Sequence, residues 1–255
     1  MMKTFASIII LVCFLFIGTT VMAGIEDGLI LYFTFDDGKG TTVKDYSGNG
    51  YDGTILDDNK TEWTDGPEGF GGAFNFSGQG FGEKDKGQRT GRVEVQDDLG
   101  DHKDLSFSLW FFATRDNDWN YFGDFRPTGS WFARDASNNI ILNGQGGVPG
   151  GEYPRDEWVH LVVLADSSST TYYINGEEAG NKGAAAARNI STSLHVGCRF
   201  SKNEAFLSMI DDFVIWDRII SDKEIEQASK GPIMAQAVES AGKLSTTWAN
   251  IKSNR

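Results

Sequence analysis

Glu157-Trp158-Val159-His160-Leu161-Val162-Val163-Leu164, followed by Thr170-Thr171-Tyr172-Tyr173-Ile174-Asn175-Gly176, is the stretch on which the fold turns. Both runs are rich in β-branched and aromatic residues and are separated by Asp166-Ser167-Ser168, so they read as two strands joined by a polar turn. Asn175-Gly176 suits a tight hairpin loop, because both of its central residues must take positive φ. The neighbours follow the same grammar. Leu105-Ser106-Phe107-Ser108-Leu109-Trp110-Phe111 alternates apolar with polar residues, the mark of a strand with one buried face. Gly28 to Phe35, Gly53 to Leu56, Ala73 to Phe76, Gly91 to Val95, Leu194 to Cys198 and Ile210 to Trp216 are further short apolar runs. Clusters of Gly, Asn, Asp and Ser separate them. Strands of this length and spacing predict an all-β protein, a sandwich of two antiparallel sheets.

One helix is predicted. Ser221-Asp222-Lys223-Glu224 is a capping box, and the helix it opens runs through Ile225 and Ala228 until Gly231-Pro232 stops it.

The chain has 255 residues, and its start reads differently. Lys3 precedes a charge-free apolar run from Phe5 to Ile17, and Val21-Met22-Ala23 forms a small-residue exit. This predicts a signal peptide over residues 1–23, cleaved after Ala23. The run is shorter than the ~20 residues a membrane-spanning helix needs, and no later segment is apolar enough to span a bilayer. Residues 24–232 are expected to form the domain, and the Ala-, Ser- and Thr-rich stretch 233–255 a tail or linker. The expected location is secreted or periplasmic.

Charge excludes some partners. The formal net charge is −13, and the leader carries one basic residue and no acidic one. So acidic a surface argues against nucleic acid, whose phosphates call for a basic patch. Outside the leader the one cysteine is Cys198, so no internal disulfide is expected and the core must hold the fold. A thiol in an alternating apolar stretch reads as buried and inert.

Taken in order, several segments resemble the laminin-G-like family of the concanavalin A-like lectin/glucanase superfamily. They are Leu31-Tyr32-Phe33-Thr34-Phe35-Asp36-Asp37, Asp45-Tyr46-Ser47-Gly48-Asn49-Gly50, Phe107-Ser108-Leu109-Trp110, Trp158-Val159-His160, Tyr173-Ile174-Asn175-Gly176, and Ile210-Asp211-Asp212-Phe213-Val214-Ile215-Trp216 with Ser221 to Ile225. The resemblance implies a jelly-roll sandwich with one short C-terminal helix, and members that often bind Ca²⁺ and a carbohydrate or protein ligand. It also places the first and last strands side by side.

Two candidate sites follow. A hard cation wants six to eight oxygen ligands, and Asp36, Asp45, Asn49 and Asp211 are the expected set for calcium. Asp36 ends the first strand, and Asp45 and Asn49 flank a Gly-rich turn. By alternation Asp211 shares a face with Phe213 and Ile215, where a carboxylate must be paired, metal-bound or hydrogen-bonded. The bland reading is that these acids cap turns and accept backbone amides. The second candidate is a ligand surface within 115–153, carried by Trp119, Tyr121, Arg126 and Trp131. Aromatic faces beside Asn, Asp and Arg suit sugar rings and their hydroxyls. The alternative is that these aromatics are packed strand residues.

Catalytic patterns are missing. No Glu-x-Asp-x-x-Glu run places two carboxylates on one strand face for glycoside hydrolysis, and Asp211-Asp212 is an adjacent pair, expected on opposite faces. There is no zinc spacing, nucleophile elbow, P-loop or dinucleotide fingerprint. The chain is read as no enzyme, but as a secreted binding module for carbohydrate or an extracellular partner, stabilised by Ca²⁺. A structural or adhesive module is the alternative, and a glycoside hydrolase a further one.

Overall fold

The computed structural model describes residues 24–56, 61–76, 91–113, 120–126, 130–135, 137, 139–142, 148–149, 154–183, 189–199, 206 and 208–233. In chain order its strands are β1 (Leu29–Phe33), β2 (Thr42–Val43), β3 (Gly53–Leu56), β4 (Glu62–Asp65), β5 (Gly72–Asn75), β6 (Arg92–Val95), β7 (Leu105–Ala113) and β8 (Asn120–Arg126). They continue as β9 (Ser130–Arg134), β10 (Asn139–Leu142), β11 (Val148–Pro149), β12 (Glu157–Ala165), β13 (Ser169–Ile174), β14 (Glu177–Gly183), β15 (Ser193–Val196) and β16 (Met209–Trp216). A single helix is described, α1 (Asp222–Ala228).

The strands form two antiparallel sheets. The first runs β14-β13-β12-β7-β16-β5-β4, with β1 also on β16, and the second runs β11-β10-β9-β8-β15-β6-β3-β2. The expected sandwich and the pairing of first and last strands are both present. The register Phe107↔Val163, Leu109↔Leu161, Phe111↔Val159 puts the odd residues of β7 and β12 on one face, and all six are buried in the core. The second sheet answers with Phe122, Phe125 and Phe132. Phe107 lies 5.1 Å from Phe125, and Phe111 lies 5.0 Å from Phe122, between ring centroids. Each such side chain contributes roughly 1.5–3 kcal/mol by leaving water. Cys198 is a buried thiol, as its alternating apolar stretch predicts.

The outer face of the first sheet is partly covered. Tyr32, Val162, Val214 and Trp216 pack there against Ile25, Ile220, Ile225, Ala228 and Ile233. The capping box is built as expected, with the Glu224 amide donating to Ser221 Oγ and the Ser221 amide to Glu224 Oε2. Asn175 and Gly176 take φ of 52° and 84° in the two-residue loop between β13 and β14.

Two expectations are corrected. The last strand does not alternate throughout: a bulge interrupts its register between Asp211 and Val214, and Asp212 takes φ 45°. Phe213 and Ile215 stay in the core. Asp211 pairs with Trp110 instead, whose neighbours Leu109 and Phe111 point inward, so Asp211 lies on the outer face. Asp212 reaches the same side, where Tyr32 OH donates to it at 2.7 Å. The two carboxylates are therefore not on opposite faces. The stretch 115–153, where the ligand surface is expected, carries β8, β9, β10 and β11.

Candidate functional site

The register of the second sheet assembles a row of side chains that no short motif announces. Thr54 pairs with Glu94, Glu94 with His195, His195 with Asp124, and Asp124 with Trp131. The row crosses β3, β6, β15, β8 and β9. Its flanking residues Ile55, Val93, Val95, Leu194, Val196, Phe125 and Phe132 point into the core, so the row faces outward.

Thr54 at one end is exposed, but the charged members between the ends are sheltered. Asp124 is 0 % exposed and His195 6 %. Arg126 Nε lies 2.8 Å from Asp124, and Arg92 Nη2 lies 3.1 Å from Glu94. Gln96 donates to Glu94 Oε1 at 2.8 Å, and His195 Nε2 is 3.6 Å from the same oxygen. Burial pulls the His195 pKa below the usual imidazole range, against the opposing pull of Glu94 and Asp124. Burial alone would raise Glu94, but Gln96, His195 and Arg92 together hold it below the ordinary carboxylate value.

Each end of the row has its own character. At one end the Tyr121 and Trp131 rings meet edge to face at 5.7 Å, and the Arg199 guanidinium sits 5.8 Å from both. Tyr121 is buried and Trp131 half-buried. At the other end Asp52, Thr54, Leu56, Glu94, Gln96 and Asp97 line a cleft of about 350 Å³. Of the expected ligand residues, Tyr121, Arg126 and Trp131 thus lie on adjacent strands of this face, and Trp119 falls outside the described residues. Asp124, which the expected surface in 115–153 also contained, joins them, whereas Glu94 and His195 were missed. Their signal was the alternation Arg92-Val93-Glu94-Val95 and Leu194-His195-Val196, which marks them as outward-facing.

The expected calcium set divides. Asp45 is spent on the backbone: it accepts from the amides of Tyr32, Ser47 and Tyr51 and from Ser47 Oγ. Asn49 donates to the carbonyls of Leu29 and Ile30. Both therefore staple the turn to β1, the bland reading given above. Asp36 and Asp211 approach each other. Asp36 Oδ1 accepts from the Gly72 amide at 2.6 Å, and Asp211 Oδ1 from the Asp212 amide at 2.7 Å. Asp211 Oδ2 is buried with no hydrogen-bond partner. A methyl group on Gly66 would lie 2.8 Å from that oxygen, 2.6 Å from the Gly72 carbonyl oxygen and 3.1 Å from that of Gly71. Burial first, then the Asp212 and Asp36 charges, raises the Asp211 pKa, and burial and Asp36 raise Asp212. Among the described residues no three His, Cys, Asp or Glu side chains are gathered closely enough to hold a metal by themselves.

One pair on the first sheet resembles catalytic machinery without being equipped for it. Ser108 Oγ and His160 Nε2 are 2.8 Å apart, but His160 Nδ1 has no partner to orient it, and both residues are buried. Burial lowers the His160 pKa to about 3, so this is a neutral packed imidazole rather than a poised base.

The profile of the concanavalin A-like lectin/glucanases superfamily matches residues 86–226. No curated protein matches the sequence. Among solved structures the chain is similar to domain 4 of AbnA, a GH43 extracellular arabinanase from Geobacillus stearothermophilus, in complex with arabinotriose. The TM-score is 0.59 at 19% identity, covering 79% of this chain and 98% of that one. It is also similar to the binding domain of Paraclostridial Mosquitocidal Protein 1 (TM-score 0.56, 16% identity, 80% and 52% covered). A third is the binding domain of botulinum neurotoxin DC in complex with SialylT (TM-score 0.51, 16% identity, 81% and 52% covered). The chain thus spans about half the length of the two toxin domains. At these identities the likeness is one of fold.

Proposed function

The chain belongs to the concanavalin A-like lectin/glucanases superfamily, and from that premise we propose that it is an exported, non-catalytic carbohydrate-binding module whose site is the outer face of the second sheet. The observation that carries this is the row Thr54–Glu94–His195–Asp124–Trp131. Sheltered charged pairs add little to stability over apolar side chains of the same size. A row of them on a sheet face, ending in an aromatic pair, has the composition of a binding site: polar groups for hydroxyls and ring faces for C–H surfaces. The arabinotriose and SialylT complexes of the similar structures support a sugar as ligand.

Binding rather than hydrolysis is supported by the state of Glu94. A general acid at neutral pH needs a raised carboxyl pKa. Glu94 is held low by Arg92, Gln96 and His195. The test is titration calorimetry of the intact protein with arabinan and sialylated oligosaccharides, backed by a glycan array. Trp131→Ala and His195→Ala should each weaken a found affinity at least tenfold, roughly the 1.4 kcal/mol of one good contact, with an unchanged melting temperature. Affinity that survives both substitutions, or turnover of the oligosaccharide, would sink this reading.

A calcium ion held by Asp36 and Asp211 is a second reading, favoured by the unpartnered Asp211 Oδ2. Carbonyl oxygens are ordinary calcium ligands, and those of Gly71 and Gly72 face the same small space. The ion would neutralise a buried carboxylate and tie β16 to the start of β5.

A further inference from the structure

The geometry points to a processing site between Ala23 and Gly24, with the amine it releases received by a lock already built into the fold. Three carbonyls of the segment 24–27 are captured by the far end of the chain. Trp216 Nε1 donates to Ile25 O at 2.7 Å, Arg218 Nε to Asp27 O at 2.7 Å, and Arg218 Nη2 to Gly24 O at 3.0 Å. Arg218 is itself fixed on Glu224 of α1, and Ile25 is 4 % exposed beneath that helix. Such an anchor is far more than a free terminus normally receives.

The nitrogen of Gly24 is placed for a charge. It donates to Asp27 Oδ2 at 2.7 Å. The Glu26 carboxylate closes on the same residue, since a methyl group on Gly24 would lie 2.7 Å from Glu26 Oε2. As an amide this nitrogen offers one proton and no charge to two carboxylates. Hydrolysis of the Ala23–Gly24 bond adds water across it, leaving a carboxylate on Ala23 and an amine on Gly24 that takes up a proton. The resulting ammonium has donors for both acids. Independently, the sequence ahead of it is a charge-free run ending in Val21-Met22-Ala23, the small-residue pattern that a leader peptidase reads. Export and the closing of the fold are thereby joined at one atom.

The test is expression of the full chain in a secreting host, followed by N-terminal sequencing and intact mass. A mature protein beginning at Gly24 is expected, and one beginning elsewhere overturns the proposal. The lock is tested separately by comparing the Gly24 chain with the same chain acetylated on that amine. Acetylation should lower the melting temperature by about 2 °C at low salt, the size expected of an exposed ion pair in a domain this large. The loss should vanish in the Asp27→Asn, Glu26→Gln double variant. Equal melting of the free and acetylated chains would leave the amine without a role and refute the lock.

Discussion

Asp211 occupies the one place where the alternation of the last strand breaks. Its folded pKa lies above the unfolded value because burial and neighbouring acids oppose its charge. The unfolded chain therefore ionises first as pH rises. Stability is fully retained below the ordinary carboxylate pKa and falls through the window above it. Near neutrality the metal-free protein carries that penalty, and a bound cation would remove it. In a chelator at pH 7, Asp211→Asn should be more stable than the wild type by on the order of 1–2 kcal/mol, and added calcium should raise the melting temperature of the wild type alone. Scanning calorimetry in chelator and in calcium checks both. A wild type that ignores calcium would discard the cation, and a destabilised Asp211→Asn would discard the charge argument. From the sequence Asp211 was legible as an acid in need of a partner. Its face was not, because one extra residue in the strand reverses every inference drawn from period two.

At the scale of the element, legibility followed periodicity. β7 alternates with serines over its first half, and the odd residues of β7 and β12 line the core in step. β8 and β9 do not. Asn120-Tyr121-Phe122-Gly123-Asp124-Phe125-Arg126 carries a register shift between Tyr121 and Gly123, so its inward residues, Phe122 and Phe125, are three apart. A polar, aromatic segment with that spacing reads as a loop. The row of Glu94, His195 and Asp124 was hidden for a different reason: those residues become neighbours through cross-strand register alone. α1 was legible in full, since Ser221 and Glu224 announce it locally. Ser221→Ala removes the acceptor for the Glu224 amide and should cost about 1 kcal/mol. Urea titration should show a lower midpoint with an unchanged slope. Because α1 covers Trp216 and Val214, a larger loss would mean that the helix undocks rather than frays.

Across the whole molecule the two candidate sites belong to different sheets. The acidic pair sits on the outer face of the first sheet and the polar row on the outer face of the second, with packed sheets ~10 Å apart between them. Phenylalanines from both sides fill that gap. Saturating calcium should therefore raise stability while leaving any sugar affinity within about twofold, since coupling would have to cross a close-packed core that has one arrangement. Calorimetric titration of one sugar with and without calcium decides this. A change beyond tenfold would place the ion at the sugar site instead.

The strands that end the sheets also set how the protein behaves in company. β2 and β11 have two residues each and β4 has four, so they offer little backbone to a stranger. β14 is the long edge, and its sequence is Glu-Glu-Ala-Gly-Asn-Lys-Gly, with Glu177 and Glu178 exposed. Charges and glycines along a terminal strand discourage a second sheet from adding to it. A module rich in buried aromatics can in this way remain dispersed at high concentration without zipping into fibres.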